Sequence, residues 1–250
     1  YERAYKNCNT INQRADARKH DHTIDSRFMQ WATLREFLTP HKTIPVTSWR
    51  AKHRWDLSFK RVAILWFGLA IFGLGDSLLI QGDVGNAPWT VFAQGIHTKT
   101  QWPIGFATFV VSIVVLLIWI PLKEKPGFGT LSNIVIIAAF IEVGISIFPK
   151  QESLITGVVF DLAGITAVGI GSALYITCGL GAGPRDGAMT GIHHRTGVRV
   201  GRVRLGIEVI VLVLGAALGG KVGVGTVLFA LLIGEAIAIS LGFVARLTSR

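Results

Sequence analysis

Apolar residues gather into six runs along the chain, at about 62–81, 103–122, 131–148, 154–178, 203–219 and 226–245. Each approaches the ~20 residues that an α-helix needs to cross a hydrocarbon core. Inside lipid only helices and closed barrels satisfy the backbone, and these runs lack the alternation of a barrel strand. The pattern predicts an all-α, polytopic membrane protein with six transmembrane helices. Residues 1–60 contain no such run and read as a basic, largely disordered cytoplasmic tail ahead of a membrane domain over 61–250. Within the tail, Phe28, Trp31, Leu34 and Leu38 would share one face of a helix, with Arg27 and Arg35 at its edges. That stretch reads either as a helix lying on an anionic membrane surface or as a loosely ordered leader, and the marginal stability of short isolated helices favours the leader. No signal-peptide core is expected in the tail. The sequence opens on Tyr1, and Met29 is the only methionine ahead of the apolar body. Residues 1–28 are therefore expected to be an upstream extension or to be processed away.

Composition sharpens the class. Half of the 250 residues are hydrophobic and 16% are charged, against roughly 25% charged in a soluble domain. A disordered chain, a coiled coil and an ordinary cytosolic enzyme are excluded. The net charge of +10 suggests nucleic acid until its placement is considered. Thirteen of the 25 basic residues lie in 1–61, and the other twelve fall almost entirely between the apolar runs. With six spans, nine of those twelve lie on the side of the termini and three (Lys99, Lys150 and Lys221) on the other. Basic loops stay cytoplasmic, so both termini are expected inside the cell membrane, with the lipid bilayer rather than nucleic acid as partner. A homo-oligomer is left open.

The chain resembles itself at an offset of 96 residues. Between 85–130 and 181–226 there are 14 identities in 46 positions, including Gly95-Ile96-His97 with Gly191-Ile192-His193 and Gly127, Gly129 and Thr130 with Gly223, Gly225 and Thr226. The units cover about 61–149 and 154–246 and hold three spans each. An odd number turns the second upside down, which is the inverted repeat of many transporters. In each unit a glycine-rich turn leads to Pro88 or Pro184 and then a short helix, since Pro is tolerated at the first helical position. These two helices are expected to be re-entrant or interfacial. If re-entrant, their N-termini meet near the midplane and hold an anionic or polar group. The candidate substrate-binding residues are Asn86 (near the first N-cap), Pro88, Trp89, Thr90, His97, Pro184, Arg185, Asp186 and His193. Gly183, Gly187 and Gly191, spaced by four, would give the second helix a bare face for close packing.

Pro88-Trp89 and Pro184-Arg185-Asp186, each followed after one span by Pro126–Thr130 or by Gly223–Thr226, resemble the YczE-type bacterial integral membrane proteins over about 60–246. A Gly-Pro-Trp-Asp-like signature of that family is split here, because the first copy lacks the Asp and the second the Trp. The resemblance implies a polytopic bacterial membrane protein and no particular substrate.

Asp76, Glu142, Asp161, Glu208 and Glu235 lie in or near apolar runs, where a charge costs about 2.5–3.5 kcal/mol at the bilayer centre. Glu142 and Glu235 sit within one turn of each other at the repeat offset and are the candidate coupling carboxylates. Glu208 is expected to pair with Arg204 four residues earlier, and Asp161 to reach the interface. Chemistry motifs are otherwise wanting. The Gly215–Lys221 segment has Val222 where a phosphate-binding loop needs Ser or Thr. His193 and His194 are adjacent and would diverge on a helix. No catalytic residue, cofactor or metal is expected, and the protein is read as no enzyme. The leading expectation is a small secondary transporter or permease for an unknown small solute, with its site between the units. The alternative is a membrane scaffold or regulatory partner.

Overall fold

The computed structural model describes residues 44–248, so the amphipathic stretch at 28–38 and the leader before Met29 lie outside the described residues. Eight helices follow in order among them: α1 (Phe59–Gly82), α2 (Pro88–Thr100), α3 (Ile104–Leu122), α4 (Phe128–Ile147), α5 (Leu154–Cys178), α6 (Pro184–Thr196), α7 (Val200–Ala217) and α8 (Val224–Thr248). Five of these, α1, α3, α4, α5 and α8, are long and apolar enough to cross a membrane. Helix α7, which answers to the run at 203–219, has 18 residues but carries Arg202, Arg204 and Glu208. Large apolar side chains such as Trp66, Phe67, Leu117, Ile118 and Leu231 face outward, as they do when lipid is the solvent. The protein is an all-α, polytopic membrane protein with internal symmetry in its helix contacts.

The symmetry reaches the backbone. Helices α2 and α6 have 13 residues each and start 96 residues apart, and α3 with α7 and α4 with α8 keep the same offset at their starts. Every left-handed residue of the first unit has its counterpart: Asp83 with Gly179, Gly85 with Gly181, Gln101 with Gly197, Lys123 with Gly219. Gly85 and Gly181, at φ 128 and 123, adopt a conformation closed to side chains. Each is also pressed against the segment before a long helix of the other unit, Gly223 for Gly85 and Gly127 for Gly181. Reciprocal hydrogen bonds hold these crossings: Gly129 N–H donates to Leu180 O and Gly225 N–H to Val84 O, both at 2.9 Å.

Helices α1 and α5 form the central seam. Gly68 meets Gly171, Gly75 meets Gly164 and Gly82 meets Gly157, each pair backbone against backbone. The register falls on one chain as it rises on the other, so the two repeat-equivalent helices run antiparallel. Seven-residue spacing puts the three glycines of each helix on one stripe, and small residues let helix backbones approach closely in lipid. Helix α4 packs on α1 and α8 on α5. One relation is broken. Helix α3 packs on α4, with Gly105 against Ala138 and Glu142, whereas α7 makes little or no contact with α8. The equivalents Gly201 and Gly234 face open space.

The last part of the basic segment, 44–58, crosses the ends of three helices. Ala51 N–H donates to Cys178 O, Trp49 Nε1 to Thr177 Oγ1, and Phe128 N–H to Arg54 O. At the opposite ends, Asp83 after α1 pairs with Lys221 before α8 (2.7 Å) and Lys150 before α5 (3.2 Å). Burial pushes the Asp83 carboxyl up, but the hydrogen bonds from Lys221 and Lys150 outweigh it and hold its pKa below the ordinary value. A depressed carboxylate adds stability above its unfolded pKa, about 3.9, and loses it as pH falls through the folded value. Acidification below about pH 4 is therefore expected to lower the melting temperature of the wild type more than that of Asp83→Asn. At neutral pH the two should differ by about 1 kcal/mol or less, because both lysines are exposed. Parallel melting curves across that range check this.

Candidate solute-binding site

Pro88 and Pro184 are both the first helical residue, after Ala87 and Gly183, whose side chains offer no capping acceptor. Asn86, expected near the first cap, lies one residue earlier and is fully buried, its Nδ2 donating to Gln94 Oε1 at 3.0 Å. The two helix starts converge. Arg185 lies over the Trp89 ring, 4.9 Å from its centroid, and Trp89 packs with Val111 and Val115 of mid-α3 and Val211 of α7. The glycine face of α6 is used as its spacing predicts: Gly187 sits on the Trp119 ring and Gly191 on Leu122 and Glu124. Trp119 Nε1 donates to Pro184 O at 2.9 Å and fixes the start of α6.

Between the helix starts lies a cavity of about 260 Å³. Its walls come from equivalent positions of the two units: Phe72 and Val168, Asp76 and Ser172, Ala87 and Gly183, Pro88 and Pro184, Trp89 and Arg185, Thr108 and Arg204, Ser112 and Glu208, Asn133 and Phe229, Ile137 and Ile233. The cavity thus sits on the axis that relates them. Its polarity does not follow the symmetry. The second unit supplies Arg185, Asp186, Arg204 and Glu208, while the first supplies one charge, Asp76. Thr108 and Ser112 are buried (4% and 6% exposed), but the side chains of Arg204 and Glu208 are 49% and 29% exposed, and Asp186 is exposed. The cavity opens on that flank, where α7 stands away from α8.

Most wall charges have partners. Arg204 Nε meets Glu208 Oε1 at 2.9 Å, as the four-residue spacing predicts. Tyr175 OH donates to Asp186 Oδ2 at 2.8 Å. Asp76 is 2% exposed, and its Oδ2 has no hydrogen-bond partner among the described residues. Tyr175 carries no motif, so sequence alone gives it no role. Asp76 is visible there as an acid in a span, but not as part of this wall.

Other candidate residues lie elsewhere. Thr90 is buried behind the first helix turn and does not line the cavity. His97 and His193 stand at the far ends of α2 and α6. Their Nδ1 atoms donate to Trp102 O (2.6 Å) and Val198 O (2.7 Å), equivalent bonds that close the two helix ends. Glu142 accepts a hydrogen bond from Gly105 N–H at the start of α3, a place where the helix dipole favours a carboxylate. Glu235 is exposed on α8, so the two acids are not brought together or to the cavity. Asp161 differs from its expectation. It is fully buried instead of reaching the interface, because Gly82 and Gly225 leave room for its carboxylate beside the first turn of α8. Among the described residues no cluster of side chains suits a metal ion.

Fold and site together define a polytopic membrane protein with a polar cavity on an internal symmetry axis. The chain belongs to the family of unknown function DUF6198, which it matches over residues 59–241. It is 45% identical over 206 residues to an uncharacterized protein of Haemophilus influenzae, covering 82% of this chain and 94% of that protein. It is 33% identical over 194 residues to the uncharacterized membrane protein YczE of Bacillus subtilis, covering 75% and 85%. The uncharacterized protein YyaS of the same organism is 24% identical over 183 residues, covering 72% and 91%. The YczE resemblance of the sequence thus rests on a true relative. No solved structure matches.

Proposed function

We propose that the protein is a small secondary transporter, with six spans arranged as two inverted three-helix units and a solute site between them. The observation that carries this reading is the cavity whose walls come from equivalent positions of both units and include the starts of both short helices. Discontinuous helices that point N-termini at a site between repeats suit polar or anionic solutes. The basic loops support a location in the bacterial plasma membrane with both termini on the cytoplasmic side. The cavity then faces inward in this arrangement, and no catalytic step is assigned to it.

Transport needs a second arrangement, and the broken symmetry supplies one. If the units exchange conformations, α7 closes on α8 as α3 now lies on α4, and Gly201 approaches Gly234 as Gly105 now approaches Ala138. The test needs no substrate. Cysteines at 201 and 234 face open space here, so Gly201→Cys with Gly234→Cys is expected to fold and then to cross-link on mild oxidation in membranes. Mass mapping of the linked peptides identifies the bond. A correctly folded pair that never links would mean a static bundle and favour a scaffold.

A further inference from the structure

The wall of the cavity constrains the solute. After Arg204 has paired with Glu208 and Tyr175 with Asp186, two charged groups of the wall remain without a direct partner among the described residues. One is the Asp76 carboxylate, buried, with Oδ2 lacking any hydrogen-bond partner among the described residues. The other is the Arg185 guanidinium, stacked on Trp89 and without a hydrogen bond or ion pair among the described residues. The two feel each other's charge but are too far apart for an ion pair. An unpaired buried charge is costly, so Asp76, and to a lesser degree the half-buried Arg185, is a standing demand for a ligand group of opposite sign. Donors add to the Arg185 side. Behind Pro88 and Pro184, the N–H groups of Trp89, Thr90, Arg185 and Asp186 begin helices without a side-chain cap, and helix N-termini attract anions.

Resting on the transport reading above, we infer that the solute is a small zwitterion of the amino-acid kind, its carboxylate held by the two helix starts and Arg185 and its ammonium by Asp76. A simple anion would satisfy Arg185 and leave Asp76 unpaired beside it. A simple cation would do the reverse. Formal charge agrees. The wall carries three carboxylates (Asp76, Asp186, Glu208) and two guanidiniums (Arg185, Arg204). Two helix N-termini of about half a positive charge each offset the surplus, which leaves a wall of no net charge with its poles apart. The volume of about 260 Å³ falls below the roughly 300–1,000 Å³ of sites for drug-sized ligands, which suits a small solute.

Purified full-length protein in detergent is melted with three matched sets: glycine, L-alanine and L-valine; acetate, propionate and isovalerate; methylamine, ethylamine and isobutylamine. At least one zwitterion is expected to raise the melting temperature by about 5 °C near a hundred times its dissociation constant, while its matched acid and amine do not. Asp76→Asn and Asp76→Ser, the latter copying Ser172, should elute as the wild type does on size exclusion and lose that shift. Equal shifts from the acids, from the amines, or no shift from any compound would overturn the inference on wild-type protein alone. Stabilisation by a zwitterion without the 201–234 cross-link would sink transport and leave the ligand class standing. Cross-linking without stabilisation would do the opposite.

Discussion

Gly164→Leu is expected to abolish accumulation of the folded protein. A Cβ at Gly164 would stand 2.7 Å from the Gly75 carbonyl oxygen, and one at Gly75 would stand 2.8 Å from the Gly164 oxygen. Both obstacles are backbone, so the clash is relieved only by separating α1 from α5. Overpacking a core site costs about 1–3 kcal/mol when side chains can shift, and more is expected where the backbone must move. Gly206 on α7 faces open space, so Gly206→Leu is the control and should lie within about 0.5 kcal/mol of wild type. Fluorescence-detected size exclusion of the two variants decides. A monodisperse peak for Gly164→Leu at the wild-type position would show the seam to be looser than described.

Gly187→Leu should be nearly as damaging, and rescuable. Its side chain would occupy the place of the Trp119 ring, push α6 off α3 and break the bond from Trp119 Nε1 to Pro184 O. A loss of more than 2 kcal/mol, about the cost of overpacking plus a buried carbonyl without a donor, is expected. Trp119→Ala alone is also destabilising, through the cavity and the lost donor. Combined, the two changes should cost less than the sum of the single changes by about 1 kcal/mol or more, since the new side chain fills the space the old one leaves. Melting temperatures of the four proteins close the cycle. Additive losses would mean that α6 does not rest on Trp119.

What the sequence makes legible follows from which residues the backbone constrains. The offset of 96 is readable because Gly85, Pro88, Gly127 and their equivalents are demanded by turns and close crossings, where few residues fit. The six apolar runs are readable because lipid imposes length and hydropathy. The cavity is harder. Asp76, Ser172 and Tyr175 reach it from different turns of two helices, and an apolar run with no polar stripe does not announce which face looks inward. Histidine draws attention for its chemistry, yet His97 and His193 recur because each closes a helix end on a backbone carbonyl. Glu142 resembles a coupling acid in sequence because its partner, Gly105 N–H, is 37 residues away. Local pattern holds no trace of a cap supplied from such a distance.

The glycine seam also bears on energy. Under an exchange of the two units, residue n takes the surroundings of residue n + 96. The pair Gly68–Gly171 then becomes Gly164–Gly75, a contact already present. Gly68–Gly171 and Gly75–Gly164 thus exchange with each other and can act as a bearing, neither favouring nor opposing the motion, whereas Gly82–Gly157 would take the places of Cys178 and Arg61. The difference in energy between the two arrangements must come from positions where the units differ. Arg204 and Glu208 would enter the surroundings that now bury Thr108 and Ser112, and desolvating an ion pair costs several kcal/mol per ion. If the protein transports as proposed, its empty form accordingly rests as seen here, with that pair wet, and a solute would cross only by offsetting the cost of drying it.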